Sequence, residues 1–330
     1  MMRLPRFRYL LPRSVREAAA MLSDLGPDAA LLAGGTDLLP NMKRRQQTPA
    51  TVIALRGIAE LHGRESDGHG GARIGALTRL SQIETDRSLA AAWPALPRAA
   101  SLIATPPLRN MGTVGGNLCL DTRCSYYDQN ADWRAAIDYC MKKDGEVCWV
   151  APGSPRCWAV SSSDTAPVLC ALDAQVTLVS AAGERRIAVS DLFADDGIKH
   201  LTRRPDEILT AIHVPAPAQR ERSAYVKLRR RGSFDFPVLG VAARVRLAKD
   251  GTVEAARVFV GGTGSRPRDA AAGAQFLVGR RLHDEEVVRE AARLIAQVAK
   301  PLQNTDFSLT WRKQVAAEYA ARALREAAAA

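Results

Sequence analysis

Residues 121–160 form an irregular segment within a chain that otherwise alternates strand-like apolar runs with amphipathic helical patterns. The segment holds four of the six cysteines of this 330-residue chain, Cys124, Cys140, Cys148 and Cys157, and six of its eleven Trp and Tyr residues. A loop of about 40 residues without regular structure needs either a function or a cross-link that orders it. Any fold of this chain therefore has to hold an irregular, cysteine-rich insertion in place.

The spacing of these four cysteines narrows the kind of site that they could form. Stretches of 15, 7 and 8 residues separate them. Structural zinc sites usually contain two cysteines about two to four residues apart, and bacterial ferredoxins use a much tighter run. Two interpretations stay open: free thiols in a loop whose aromatic residues form a small core, or a four-cysteine metal or cluster site that orders the loop. The composition favours the metal site.

Charge and hydropathy argue against several classes of protein. The N-terminal Met1–Arg8 is basic but has neither the apolar core nor the cleavage site of a signal peptide, and no apolar run reaches the length of about 18 residues expected of a membrane span. The chain is therefore expected to be cytoplasmic, where disulfides are rare. Its net charge of +11 comes from basic residues spread along the chain. That spread argues against a nucleic-acid-binding protein. A surface for an acidic protein partner explains the charge equally well.

The start of the chain has the pattern of a β–α–β unit. An extended Phe7–Leu10 precedes Ser14, which is a suitable N-cap for a helix over Val15–Leu25. Further apolar strands are expected at Ala29–Ala33 and Thr51–Leu55.

Strands and helices also alternate on both sides of the cysteine-rich segment. The expected helices are Leu80–Thr85, Pro94–Ile103 and Pro167–Leu172, and the expected strands are Ala72–Ile74, Gln175–Ser180 and Glu207–Val214. Pro215–Arg222 then has the composition of a linker.

The last hundred residues predict a separate α+β unit. Its three expected strands are Ala224–Arg229, Val238–Leu247 and Val253–Val260, the last two joined by a hairpin turn at Lys249–Gly251. Two helices close the chain, with apolar faces formed by Val287, Ala291, Leu294, Ile295 and Val298 and by Trp311, Val315 and Tyr319. The pattern therefore predicts helices that cover a three-stranded antiparallel sheet.

Two glycine-rich loops follow apolar segments, at Ala33–Leu38 and Gly112–Asn117. Neither matches the GxGxxG fingerprint of dinucleotide-binding units. Glycine pairs let the backbone take positive φ, and inward-facing N–H groups can form an anion-binding nest for a pyrophosphate. Thr36, Thr113 and Asn117 could add side-chain donors. The residues alone leave both phosphate binding and a simple tight turn open for each loop.

Taken together, these features resemble the FAD-binding subunits of the xanthine dehydrogenase-like molybdenum hydroxylases. The resemblance spans nearly the whole chain in the correct order, through Ala33–Asp37, Arg109–Asn117, Ser163–Pro167, Asp206–Leu209, Tyr225–Lys227 and the final Ala-rich helix. It implies an α+β fold with an FAD-binding region of the PCMH type, made of two subdomains, and a C-terminal α+β domain. The implied boundaries are 1–58 and 59–216 for the two subdomains, the second including the cysteine-rich insertion, and 217–330 for the last domain.

The resemblance also implies which residues hold FAD. The two glycine loops would wrap the pyrophosphate, Ile103 would lie against the cofactor, and Asp164 and Lys227 would contact the flavin. A lysine near the pyrimidine edge of the ring would stabilise anionic reduced flavin, and an aspartate can bind a ribityl or ring donor; without the resemblance both would be read as surface charges. The full set of implied cofactor contacts is Leu31, Leu32, Ala33, Gly34, Gly35, Thr36, Asp37, Leu38, Ile103, Gly112, Thr113, Val114, Gly115, Gly116, Asn117, Asp164 and Lys227.

Within this family the cysteine-rich insertion is similar to that of the 4-hydroxybenzoyl-CoA reductase β subunits, which carry a [4Fe–4S] cluster that most relatives lack. The similarity implies that Cys124, Cys140, Cys148 and Cys157 ligate such a cluster. Cys119 and Cys170 match no ligand position and are expected to be small buried side chains.

The same similarity implies an electron-relay subunit that has no catalytic residue of its own. Its partners would be a large molybdopterin subunit and a small subunit with two [2Fe–2S] clusters, in an α2β2γ2 heterohexamer. Reduced ferredoxin would deliver electrons to the [4Fe–4S] cluster, from which they would pass through FAD to the [2Fe–2S] centres. The large subunit would remove the ring hydroxyl of 4-hydroxybenzoyl-CoA, and the +11 charge would steer an acidic ferredoxin.

Two other functions stay open. The first is the FAD subunit of another molybdenum hydroxylase or dehydrogenase, which would pass electrons outward. The second is a non-catalytic cluster or zinc protein in which the cysteine-rich loop is purely structural.

Overall fold

The computed structural model describes residues 3–329 and begins with a three-stranded parallel sheet. Its elements are β1 (Arg8–Leu10), α1 (Val15–Leu25), β2 (Ala29–Leu32), α2 (Leu38–Lys43) and β3 (Thr51–Ala54), in the sheet order β1-β3-β2. The Ser14 side chain caps α1 by accepting from the N–H of Glu17. The helix buries Ala18, Ala19 and Leu22 against the sheet. The expected β–α–β unit is thus confirmed, although Leu38–Lys43 adds a helix that the glycine-loop pattern did not predict.

A five-stranded antiparallel sheet follows, in the order β4-β5-β8-β6-β7. Its strands are β4 (Arg64–Ser66), β5 (Ala72–Gly75), β6 (Gln175–Ser180), β7 (Gly183–Ala188) and β8 (Ile208–Val214). The helices of this region are α3 (Leu80–Thr85), α4 (Arg87–Ala92), α5 (Ala95–Ser101), α6 (Pro106–Arg109), α7 (Val114–Leu118), α8 (Ala131–Ala136) and α9 (Thr165–Ala171). Helices α5 and α9 share one apolar core with β5, β6 and β8. Strands β4 and β7 were not expected, because their polar, exposed residues carry no apolar alternation.

The second glycine loop is partly helical, which corrects its expected description as a loop over Gly112–Asn117. Thr113 is an N-cap whose hydroxyl accepts from the Gly116 N–H at 3.1 Å. Helix α7 therefore begins at Val114, inside the glycine run. A threonine in the N-cap position satisfies an otherwise free helix N–H, and this local bond overcomes the low helix propensity of glycine.

The cysteine-rich segment contains only one helix, α8, as its lack of periodicity predicts. Backbone hydrogen bonds order the rest. Arg123 and Val160 pair in both directions at 2.8 and 2.7 Å and so close the segment at its base. Within it, the carbonyl of Cys140 accepts from the N–H groups of Lys143 and Gly145.

The C-terminal unit is a four-stranded antiparallel sheet rather than the expected three-stranded one. The strands are β9 (Glu221–Leu228), β10 (Leu239–Leu247), β11 (Val253–Gly261) and the two-residue β12 (Arg268–Asp269), in the order β12-β11-β10-β9. Helices α10 (Ala271–Leu277), α11 (Glu285–Ala296) and α12 (Leu309–Ala329) complete it. Strand β9 already begins inside the expected linker Pro215–Arg222. No helix among residues 3–329 is both long and apolar enough to cross a bilayer.

The buried face of α12 differs from the face that the large apolar residues predicted. Trp311 is 37% exposed, and Val315 and Tyr319 are only partly buried. The helix instead buries five alanines and one leucine together with Arg312: Ala316, Ala320, Ala321, Ala323, Leu324 and Ala327. Alanines bring the helix backbone close to the sheet, so close packing favours them over the bulkier face.

Arg312 anchors α12 by satisfying three buried carbonyl groups. Its guanidinium donates to Leu302 O at 3.0 Å, to Val238 O at 2.9 Å and to Gly262 O at 2.6 Å. We expect Arg312→Met to lower the free energy of unfolding by about 3 kcal/mol or more, because the three carbonyls would stay buried without a donor. Urea unfolding measures this change. The matched control is Arg322→Met on the exposed side of the same helix, and an equal effect of both variants would contradict the anchoring role.

Candidate functional site

The two glycine loops line one cavity of about 390 Å³. This size lies within the range of about 300–1,000 Å³ that is typical of small-molecule sites. The expected cofactor contacts that line it are Leu31, Ala33, Gly34, Gly35, Thr36, Asp37, Leu38, Ile103, Gly112, Thr113, Gly115, Gly116 and Asn117. The structure therefore brings together most of the residues that the sequence associated with FAD.

Glycine lets the two loops approach each other at the cavity. A Cβ at Gly34 would overlap the carbonyl oxygen of Met111, in the chain just before the second loop. A Cβ at Gly115 would lie 2.7 Å from the Cβ of Ala76. Only residues without a side chain fit at these contacts, so the glycines place two stretches of backbone against one cavity.

Asn117 joins the second loop to the segment before α9. Its side-chain oxygen accepts from Ser163 Oγ at 2.8 Å, from Thr165 Oγ1 at 2.6 Å and from the Thr165 N–H at 3.2 Å. Groups of the chain itself therefore supply all three of these hydrogen bonds to the oxygen. The side chain fixes the loop to the helix that follows Asp164.

Four expected contacts, Leu32, Val114, Asp164 and Lys227, do not line the cavity. Leu32 is half-buried at the end of β2, and Val114 is fully buried in the core. Asp164 and Lys227 form a buried ion pair, with side chains only 3% and 1% exposed and an N–O distance of 2.9 Å. The structure thus places this pair behind the cavity wall rather than in it.

The Asp164–Lys227 pair is hydrogen-bonded to the neighbouring backbone. Asp164 also accepts from Tyr225 Oη at 2.8 Å, and Lys227 donates to the carbonyls of Leu102 and Asp235, both at 2.9 Å. Burial raises the pKa of Asp164 and lowers that of Lys227, and each partner counteracts the shift of the other. Leu102 precedes the cavity-lining Ile103, so the pair fixes the wall on that side.

The cavity has further lining residues that the sequence did not single out. Leu120 and Asp121 come from the start of the cysteine-rich segment, and His200, Leu201 and Arg203 come from the loop before β8. Burial and the nearby Lys142 lower the pKa of His200. No sequence motif marks these residues, because they reach the cavity only through tertiary packing.

The four candidate ligands, Cys124, Cys140, Cys148 and Cys157, are all free and buried. Three of them, Cys124, Cys140 and Cys157, share one small core with Tyr127 and Ala159. Cys148 lies beside Cys157, whose thiol lowers the pKa of Cys148 to about 5. We call this set of four thiols the cysteine pocket.

A backbone N–H group donates to a sulfur of the cysteine pocket. The Ala159 N–H donates to Cys157 Sγ at 3.4 Å. Such bonds stabilise thiolate and are among the interactions that tune iron–sulfur clusters.

Within residues 3–329, however, no three His, Cys, Asp or Glu side chains are arranged to hold a single metal ion. This result gives no support to a zinc site, and it leaves the expected [4Fe–4S] cluster without direct support. In a cubane each cysteine binds a different iron, so the sulfurs stand farther apart than around one ion. The donor chemistry of four buried thiols fits such a cluster, but the structure itself does not display ligand geometry.

The cavity and the cysteine pocket share one short piece of chain. Cys119, Leu120 and Asp121 line the cavity, and Cys124 follows three residues later. Arg123, between them, pairs with Asp37 of the first glycine loop and with Asp128. The two sites are therefore neighbours joined by both covalent and ionic links.

Comparison with known proteins agrees with this arrangement. Residues 5–217 match the family model described as the FAD binding domain in molybdopterin dehydrogenase, and residues 223–327 match the CO dehydrogenase flavoprotein C-terminal domain. The carbon monoxide dehydrogenase medium chain of Hydrogenophaga pseudoflava is 30% identical over 98% of this chain and 97% of its own length. The aldehyde oxidoreductase FAD-binding subunit PaoB of Escherichia coli is 33% identical over 79% of this chain and 83% of its own.

A solved structure shows the same fold over nearly the whole length. The reconstituted CO dehydrogenase from Oligotropha carboxidovorans superposes with a TM-score of 0.82 at 28% identity, covering 99% of both chains. The family models together span almost all of residues 5–327. This chain is therefore an FAD-binding oxidoreductase subunit of the molybdenum hydroxylase family, which includes xanthine dehydrogenase.

Proposed function

We propose that this chain relays electrons between FAD in the cavity of the glycine loops and a [4Fe–4S] cluster in the cysteine pocket. The observation that carries the proposal is the closeness of the two sites: Asp121 lines the cavity, and Cys124 belongs to the pocket three residues later. FAD, when bound, would exchange electrons both in pairs and singly, which suits a connection between a molybdenum centre and iron–sulfur carriers. The protein's own task is to bind, orient and shield.

FAD binding is proposed to use the backbone of both loops. Leu31–Leu38 and Gly112–Asn117 would contact the pyrophosphate, because their glycines leave N–H groups accessible to it. Ile103 would pack on the flavin. Leu32 and Val114 do not line the cavity, so they would support the two loops rather than contact FAD through their side chains.

Asp164 and Lys227 are proposed to act differently from direct flavin ligands. The three N–H groups of Lys227 are already used by Leu102, Asp164 and Asp235. The pair would therefore position Ile103 through the neighbouring carbonyl. Lys227 would also place a buried ammonium group, neutralised by Asp164, behind this wall of the cavity.

The cluster would be held by Cys124, Cys140, Cys148 and Cys157. Its support is the burial of four free thiols in one pocket and the Ala159 N–H that donates to Cys157 Sγ. Tyr127 and neighbouring aromatic residues would shield it from water, which influences the potential of such clusters. A purely structural core would bury the same aromatics but would not need four thiols.

The enzyme that we propose is a molybdenum-containing 4-hydroxybenzoyl-CoA reductase, because of the likeness of the cysteine-rich insertion. A large molybdopterin subunit would bind substrate, and a small subunit would carry two [2Fe–2S] clusters in an α2β2γ2 assembly. Ferredoxin would donate electrons at the cysteine pocket. The net charge of +11 would speed its encounter at low salt.

A second candidate is a hydroxylase or dehydrogenase whose FAD subunit passes electrons outward. It is favoured by the relatives, which are named as a carbon monoxide dehydrogenase chain and an aldehyde oxidoreductase subunit. In both candidates this chain would bind FAD and relay electrons. The candidates differ in the substrate of the large subunit and in the direction of electron flow.

Assay of the purified complex separates the two candidates. The reductase predicts that 4-hydroxybenzoyl-CoA oxidises a complex reduced with ferredoxin, forming benzoyl-CoA and water. No turnover of this thioester, together with substrate-dependent reduction of an artificial acceptor, would contradict the reductase and support the outward direction.

A further inference from the structure

A buried ion pair lies in the wall between the FAD cavity and the cysteine pocket. Lys142 Nζ lies 2.8 Å from Asp121 Oδ1, and the two side chains are only 6% and 11% exposed. Asp121 lines the cavity, whereas Lys142 does not. Asp121 is therefore the member of the pair that borders the cavity.

The ammonium end points towards the cysteine pocket. Lys142 follows Cys140 by two residues and donates to the carbonyl of Gly197 at 2.6 Å. A Cβ at Gly197 would lie 2.7 Å from Cys157 Sγ, so this glycine packs directly on that sulfur. Lys142 also lies 4.8 Å from the ring centre of Tyr127, a member of the same core.

The orientation of the pair is fixed by its other hydrogen bonds. Lys142 also donates to Thr122 Oγ1 at 2.8 Å, which completes three bonds from its ammonium group. Asp121 accepts from Tyr127 Oη at 3.1 Å and from Gln47 Nε2 at 3.2 Å. These bonds hold both charged groups in fixed positions within the wall.

A fixed charge changes a reduction potential according to its sign. Positive charge stabilises the reduced form of a nearby redox centre, and negative charge destabilises it. This effect is larger in a buried site than in water. Centres at opposite ends of one ion pair therefore experience opposite effects.

We propose that the Asp121–Lys142 pair is a positioning dipole that lowers the potential of FAD relative to the centre in the cysteine pocket. This inference rests on the proposed function, since it takes both sites to be redox centres. Its field favours an electron in the pocket over one on FAD. It therefore supports electron flow outward from FAD, and a reductase would have to overcome it with a strongly reducing donor.

The test is a double-mutant cycle of charge-neutralising variants on the whole chain purified without oxygen. Lys142→Met, Asp121→Asn and the double variant are compared with Lys143→Met, a neighbouring lysine that pairs with Asp144 instead. Redox titration monitored by flavin absorbance gives the FAD potential. The same titration monitored by low-temperature EPR gives the potential of the centre in the cysteine pocket. Iron and FAD contents are measured for each variant.

We expect Asp121→Asn to raise the FAD potential more than that of the pocket, and Lys142→Met to lower the pocket potential more than that of FAD. Lys143→Met should change neither. Equal shifts of the two centres in each single variant, larger shifts at the opposite centre, or no shift in either variant would overturn the dipole. Absence of iron from the wild-type chain would instead refute the cluster. In that case the FAD potentials would still decide by size, because the dipole requires a larger shift from Asp121→Asn than from Lys142→Met. Asp121→Asn is isosteric and provides this test if Lys142→Met does not fold.

Discussion

Gly34→Ala is expected to yield a folded chain that has lost most of its FAD. The added Cβ would overlap the carbonyl oxygen of Met111, a backbone atom that cannot rotate away. The two glycine loops would have to separate, and overpacking of this kind costs about 1–3 kcal/mol. If the cost falls entirely on the bound state, the affinity for FAD falls roughly 5- to 150-fold.

Flavin absorbance after gel filtration, followed by titration of the apoprotein with FAD, measures this loss. The control is Gly232→Ala, where an added Cβ meets nothing within 4 Å and φ is not positive. The control should keep the FAD content of the wild type. Equal FAD affinity of Gly34→Ala and wild type would show that the contact between the loops does not shape the cofactor site.

Cys140→Ala is expected to remove the iron while FAD stays bound. Cys140 lies in the cysteine pocket and does not line the cavity. A [4Fe–4S] cluster needs four thiolates, so loss of one should reduce iron from about four per chain to nearly none. Flavin bands should remain, and the broad absorbance of iron–thiolate charge transfer should disappear.

Cys170→Ala is the matched control, because Cys170 is equally buried but lies in the core of α9, outside the pocket. It should keep both iron and flavin. Full iron in Cys140→Ala would exclude this residue as a ligand, and loss of iron in both variants would point to general destabilisation.

Much of the scaffold could be predicted from local sequence patterns. Helix α1 and its Ser14 cap, helix α3 and strand β6 have the predicted bounds, because apolar periodicity and capping act over a few residues. Strand β7 escaped prediction because it pairs only with β6 and exposes most of its side chains. The buried face of α12 was predicted wrongly, because close packing of alanines outweighed the larger apolar residues.

The candidate site likewise contains some residues that local sequence patterns predict and others that they do not. The glycine loops can be recognised from their composition. The cavity that both of them line fits the expectation that they form one binding site. Asp121 and His200, in contrast, reach the cavity from segments about 80 residues apart in sequence. The role of Lys142 is visible only from its contacts with Asp121 and Gly197. Such tertiary contacts leave no local pattern in a single sequence.

Iron and FAD analysis of the wild-type chain, purified without oxygen, tests the central claim most directly. We predict about four irons and one FAD per chain, with a broad shoulder near ~400 nm beneath the flavin bands. FAD with no iron would leave the FAD-binding subunit intact but would contradict the relay between the cavity and the cysteine pocket. Zinc in place of iron would show that the pocket is a structural metal site.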